Sequence, residues 1–140
     1  MIDVDDFKAV NDSHGHASGD RVLQTLATRL SETLRGTGVI GRLGGDEFAA
    51  VVLVGGAQDA EALISRIRRA CDLGDMIPGI RASVGSVITD ERRSLDDVLI
   101  EADHALYQAK RERASARVPG RQVVERDGGG GRNIERIDAI

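Results

Sequence analysis

Val39-Ile40-Gly41-Arg42-Leu43-Gly44-Gly45-Asp46-Glu47-Phe48-Ala49-Ala50-Val51-Val52-Leu53-Val54 is the stretch whose reading decides the fold. Val39, Ile40 and Leu43 lead into a Gly-Gly turn, and Phe48 to Val54 is a nearly continuous apolar run. Two strands around such a turn predict a β-hairpin. Gly44 and Gly45 supply the positive φ that a tight hairpin needs, and they let a ligand approach the backbone closely. Asp46 and Glu47 stand in the turn itself.

Upstream of the hairpin, Val22, Leu23, Leu26, Ala27, Leu30 and Leu34 recur at helical spacing from Asp20 onward, and Gly36 and Gly38 end that helix. Before it come a brief apolar start, Ile2 and Val4, and a short helical turn from Asp6 to Asp12. Downstream, a helix from Asp59 to Cys71 carries Leu63, Ile64, Ile67 and Ala70 on its inner side. After Pro78-Gly79 an alternating strand places Ile80, Ala82, Val84 and Ser86 on one face. Ser94 with Asp97 forms a capping box for a third long helix. Its stripe is Leu95, Val98, Leu99, Ala102, Leu106 and Ala109, and it ends in a basic cluster from Lys110 to Arg117. This order predicts an α/β sandwich, a mixed β-sheet flanked by helices. The folded domain is expected over residues 1–118. Residues 119–140, with Gly128 to Gly131 among charges, bury too little to fold and are expected to be disordered.

Bulk properties narrow the function classes. With 140 residues and 41% hydrophobic content the chain can build one core. A net charge of −4 argues against a general nucleic-acid binder. Aromatic residues are only Phe7, Phe48 and Tyr107, too few for base-stacking platforms. The single cysteine, Cys71, excludes an internal disulfide and a thiolate zinc cluster. No apolar run spans a bilayer, and acids follow Met1 where a signal peptide would be basic and apolar, so a reducing cytoplasm is the expected compartment.

Acids gather where strands end. Asp3, Asp5 and Asp6 follow the apolar start, and Asp46 and Glu47 occupy the hairpin turn. With the first strand beside the hairpin, Asp3 and Asp46 converge on one Mg²⁺ site, since that ion favours one or two carboxylates with backbone oxygens, water and phosphates. Solvated turn acids are the plainer alternative, and the spacing leaves both open.

Five segments together resemble one family. Gly44 to Phe48 spells GGDEF, the signature of the diguanylate cyclases. Asp3-Val4-Asp5-Asp6-Phe7-Lys8 is similar to the family's D-I-D-x-F-K segment, and Asn11-Asp12, Gly15-His16 and Gly19-Asp20 to its N-D-x-x-G-H-x-x-G-D stretch. Ala82-Ser83-Val84-Gly85 resembles its S-I-G strand. Ala102-Asp103 through Lys110 resembles its A-D-x-A-L-Y-x-A-K helix. The resemblance runs from Ile2 to about Lys110, with no gap between Asp3 and Phe48.

The resemblance implies a nucleotidyl-cyclase-like, ferredoxin-like palm that condenses two GTP into cyclic di-GMP, with Mg²⁺ or Mn²⁺ as cofactor and two domains facing each other as a homodimer. It implies metal binding by Asp3, the Val4 carbonyl and Asp46, with Asp46 also the candidate base and Glu47 beside it. The backbone of Asp6, Phe7 and Lys8 would lie along the phosphates, with the Lys8 ammonium neutralising charge there. Gly44 and Gly45 would border the substrate, and Lys110 would reach the triphosphate, although a lysine at a helix C-terminus also suits the dipole. Asn11, His16 and Asp20 would line the nucleoside pocket. Guanine offers two adjacent N–H donors to a carboxylate such as Asp20, and adenine does not. Read singly, Asp20 is equally a helix N-cap, His16 a surface histidine and Asn11 a turn residue.

Three departures set further expectations. The family opens with a helix, a loop and a full strand before the first metal aspartate, where this sequence has Met1-Ile2; a start further upstream is expected. Ala114 stands where a phosphate-binding arginine is expected, leaving Arg113 or Arg117 as substitutes. Arg35-Gly36-Thr37-Gly38 lacks the acid of the family's R-x-x-D product-inhibition site, so tight inhibition through it is expected to be absent.

Overall fold

The computed structural model describes residues 1–89 and 93–116; the tail expected to be disordered lies outside them. The elements are β1 (Ile2–Val4), α1 (Phe7–His14), α2 (His16–Thr33), β2 (Gly38–Gly44), β3 (Glu47–Val52), α3 (Ala57–Ala70), β4 (Ala82–Val84) and α4 (Leu95–Ala116). Among the described residues no helix is long and apolar enough to cross a membrane.

The strands form one sheet in the order β2-β3-β1-β4, the split βαβ arrangement of ferredoxin-like folds. All three pairings are antiparallel, so the sheet is antiparallel where a mixed one was expected. The reason lies in the connections. The α1–α2 crossover carries the chain from β1 to β2, two strands of like direction, and β3 then folds back between them. Strands of like direction are never neighbours.

β1 is central, and its alternation divides the molecule. Ile2 and Val4 point to one face, where they are buried against α2 and α3 with Val22, Leu26, Leu30, Leu63 and Ile67. Asp3 points to the other face, as does the next alternate residue, Asp5, and there α4 lies. The register fixes this assignment, because Ile2 pairs with Phe48 and Val84, while Asp3 pairs with Glu47 and Ser83. Beyond Met1 an apolar groove of about 410 Å³ runs between the end of β3 and the segment after β4, lined by Val52, Leu53, Ile64, Val87 and Val98 among others.

The hairpin, the three long helices and the capping box form as expected. Ser94 Oγ accepts from the Asp97 amide at 3.1 Å and donates to the Asp97 carboxylate at 2.6 Å, which fixes the first turn of α4. Two boundaries differ. β3 ends at Val52, and Leu53 turns 87% exposed. β4 is only three residues long, with Ala82 and Val84 on the core face and Ser86 in solvent.

Candidate functional site

The C-terminal end of β1 and the hairpin tip form one corner of the sheet. Gly45 takes φ 49° in the turn, and Gly44 does not share a positive φ, so one glycine supplies the conformation expected of both. The ladder shifts register between Arg42 and Gly44. Arg42 folds over this bulge, its Nε and Nη2 donating to the Gly45 carbonyl at 2.9 and 2.5 Å. The tip is then tied to β1 by the Val4 amide, which donates to the Asp46 carbonyl at 3.3 Å. Asp46 is thereby held beside Asp3.

Asp3 is the most enclosed acid of the corner, 8% exposed. Lys110 Nζ lies 2.6 Å from its Oδ1. The approach is an ion pair without the alignment of a hydrogen bond, so this buried oxygen has no well-directed donor. Burial pushes the Asp3 carboxyl above the usual carboxylate range; Lys110 opposes the rise and the charge of Asp46 adds to it. A buried acceptor lacking an aligned donor, with a second acid beside it, suits a hard divalent cation. Among the described residues no three or more His, Cys, Asp or Glu side chains cluster as a ready metal cage. Two carboxylates fit an ion that keeps several waters and takes the rest of its shell from phosphates.

Asp6 opens α1 in the left-handed region, φ 56° and ψ 28°, a conformation that aspartate tolerates better than most residues. The first amides of α1 follow it at Phe7 and Lys8. Phe7 packs on the core edge, while the Lys8 side chain is exposed and makes no ion pair among the described residues.

Asn11, His16 and Asp20, expected to line one pocket, stand about the start of α2: His16 and Asp20 lie one helical turn apart, and Asn11 packs against Gly19. Asp20 lines a cavity of about 320 Å³ between α2 and the hairpin, with Leu23, Gln24, Ala27, Arg42 and Phe48. It lies in the second turn of α2, whose N-cap is Gly15, so the N-cap alternative for Asp20 is wrong. Asn11 sits where α1 crosses α2. A Cβ on Gly19 would come 2.0 Å from Asn11 Oδ1 and 3.1 Å from Phe7 Cζ, so a side chain there would displace the Asn11 amide from its place against α2. His16 is exposed at the first position of α2 and does not line the cavity.

One contributor, Arg42, escapes the sequence reading, and two residues that it names, Asp5 and Arg113, pair with each other. Arg42 both braces the tip and lines the cavity. Asp5 accepts from Ser83 Oγ at 2.7 Å and pairs through its other oxygen with Arg113. Arg113 is half-buried against β1, whereas Ala114 is exposed. The i, i+2 spacing of Asp3 and Asp5 was the available signal, since it puts both acids on one face of the strand.

A family model described as diguanylate cyclase, GGDEF domain, matches residues 1–116, and the chain belongs to that family. Diguanylate cyclase DgcP of Escherichia coli is 42% identical over 121 residues, covering 81% of this chain and 35% of DgcP. Among solved structures, diguanylate cyclase SiaD of Pseudomonas aeruginosa, in complex with its activator SiaC, superposes with a TM-score of 0.71 at 36% identity. That match covers 79% of this chain and 45% of SiaD. The active GGEEF domain of a Vibrio cholerae diguanylate cyclase gives a TM-score of 0.65 at 33% identity, covering 79% of this chain and 74% of that one. The chain thus spans about a third of DgcP and under half of SiaD.

Proposed function

We propose that this domain condenses two GTP molecules into cyclic di-GMP, each 3′-hydroxyl attacking the α-phosphorus of the other nucleotide and each attack releasing one pyrophosphate. The observation that carries this reading is the buried Asp3 oxygen without an aligned donor, set beside Asp46 at the hairpin tip. Asp3 and Asp46 would hold Mg²⁺ or Mn²⁺ with the Val4 carbonyl. When bound, the metal supplies charge neutralisation on the phosphates. Asp46 would also accept the hydroxyl proton, with Glu47 next to it.

The first amides of α1, at Phe7 and Lys8, would face a phosphate lying along the helix N-terminus. Lys110, which pairs with Asp3, would contribute its charge to binding the triphosphate. Asp20 accepts from the guanine N1–H and N2–H₂ inside its cavity, and Asn11 braces the pocket wall. Each domain holds one GTP, so product forms between two domains facing each other.

The test is purified protein with GTP and Mg²⁺, read by chromatography for cyclic di-GMP, with Asp46→Ala as the control. Product in the wild type and none in the control is the expected result. Retention of the full rate in Asp46→Ala would sink the assignment. A second reading, a module that binds GTP without turnover, is favoured by the exposed Ala114. It predicts GTP binding in the wild type with no product at any protein concentration.

A further inference from the structure

On the α4 face of the sheet two cations meet two acids in parallel. Lys110 reaches Asp3, and Arg113, three residues on along the same side of α4, reaches Asp5. The two contacts differ in what stands behind them. Asp5 is fixed from the far side as well, because Ser83 Oγ of β4 donates to its Oδ1 at 2.7 Å and its own amide donates to the Arg81 carbonyl at 3.0 Å. A chain of side chains therefore runs from β4 through the end of β1 to α4. Asp3 has no such support, and its Oδ1 lacks an aligned donor.

We infer that the Ser83–Asp5–Arg113 chain is a latch that sets the position of Lys110, and that Asp5 and Arg113 are positioning residues for triphosphate binding. This rests on the proposed nucleotide site. The last turn of α4, from Arg113 to Ala116, is mostly exposed, and terminal turns fray unless tied down. The Arg113 contact ties α4 one turn beyond Lys110, so the lysine is held on both sides. Side by side, the sequence marks Ala114 as the position lacking an arginine, and the structure assigns Arg113 to Asp5.

The inference has a signature opposite in sign to simple electrostatics. Removing a negative charge near a triphosphate site should tighten anion binding. If Asp5 acts as part of the latch, Asp5→Asn weakens it. The test is calorimetric titration of the 140-residue protein, in Mg²⁺, with the α,β-methylene analogue of GTP, which cannot release pyrophosphate. Asp5→Asn and Arg113→Gln are each expected to weaken binding about tenfold, the range of a lost hydrogen bond to a charged group. The double variant is expected to bind no more weakly than either single one, because both break the same chain. Ser83→Ala, which changes no charge, is expected to weaken binding to a smaller extent. Unchanged or tighter binding by Asp5→Asn, or additive losses in the double variant, would overturn the latch.

Hydrogen exchange separates this inference from the nucleotide reading. Amides of residues 107–116 should exchange several-fold faster in Asp5→Asn and Arg113→Gln, with no nucleotide present. Unchanged exchange would overturn the latch even if the analogue binds. A wild-type protein that ignores the analogue would overturn the nucleotide reading and with it the positioning role.

Discussion

Asp3 and Gly19 show how much of the site depends on single side chains. Since the Asp3 carboxyl is raised, chiefly by burial, the folded chain keeps its proton to higher pH than the unfolded chain does. The protonated form thus favours folding below the unfolded value, and that contribution is lost as pH rises through the folded value. Asp3→Asn is therefore expected to melt above the wild type at pH 7 in the absence of divalent cations, with the gap closing below the usual carboxylate range, about pH 4. Cyclic di-GMP formation should vanish in the same variant. A melting temperature at pH 7 below that of the wild type would contradict the burial argument. Gly19→Ala is the converse case: it forces a methyl group against Asn11 and Phe7 and should cost about 1–3 kcal/mol, as overpacking does. Chemical denaturation would measure that loss, and GTP binding should fall with it.

At the scale of elements, the capping box of α4 is legible in the sequence because its partners are three residues apart. Ser94→Ala should cost about 1 kcal/mol by removing the cap, read as a lower denaturation midpoint. The latch beside β1 was illegible for the opposite reason, since Asp5 and Arg113 stand 108 residues apart and meet only once α4 has docked. The start of α2 was misplaced because Gly15, at φ 79°, opens the helix at His16 without a capping side chain. The turn before β2 bears on regulation. A Cβ at Gly38 would lie 2.4 Å from the Val51 carbonyl, so an acid cannot take that place without a shift of backbone. Titration of an active preparation with cyclic di-GMP should therefore show no potent non-competitive inhibition through Arg35 to Gly38.

For the molecule as a whole, the sequence displays the fold better than it displays the site. Hydrophobic spacing marks α2 and α3, and the Gly-Gly turn marks the hairpin, because both signals are local. The antiparallel sheet was missed because strand direction depends on how the crossover skips over β3, which no short window records. Asp3 and Asp46 were legible as acids closing adjacent strands, whereas the place of Arg42 over the hairpin tip was not, because it depends on the register shift between Arg42 and Gly44. Core burial makes one global prediction. Burial pushes the Cys71 thiol up to about 12, so the folded chain binds its proton above the ordinary thiol range. Stability from this group is full below about pH 9 and is lost as pH rises towards 12. At pH 8 Ellman's reagent should label Cys71 only as fast as the protein unfolds, and prompt labelling of the folded protein would refute its enclosure. The first residue raises a matter of protein production. The Met1 ammonium donates to the Gly85 carbonyl at 2.8 Å, and the Met1 carbonyl accepts from the Gly85 amide; Met1 also lines the apolar groove. A purification tag fused ahead of Met1 would turn that ammonium into an amide at the mouth of the apolar groove, changing the charge beside the Gly85 carbonyl.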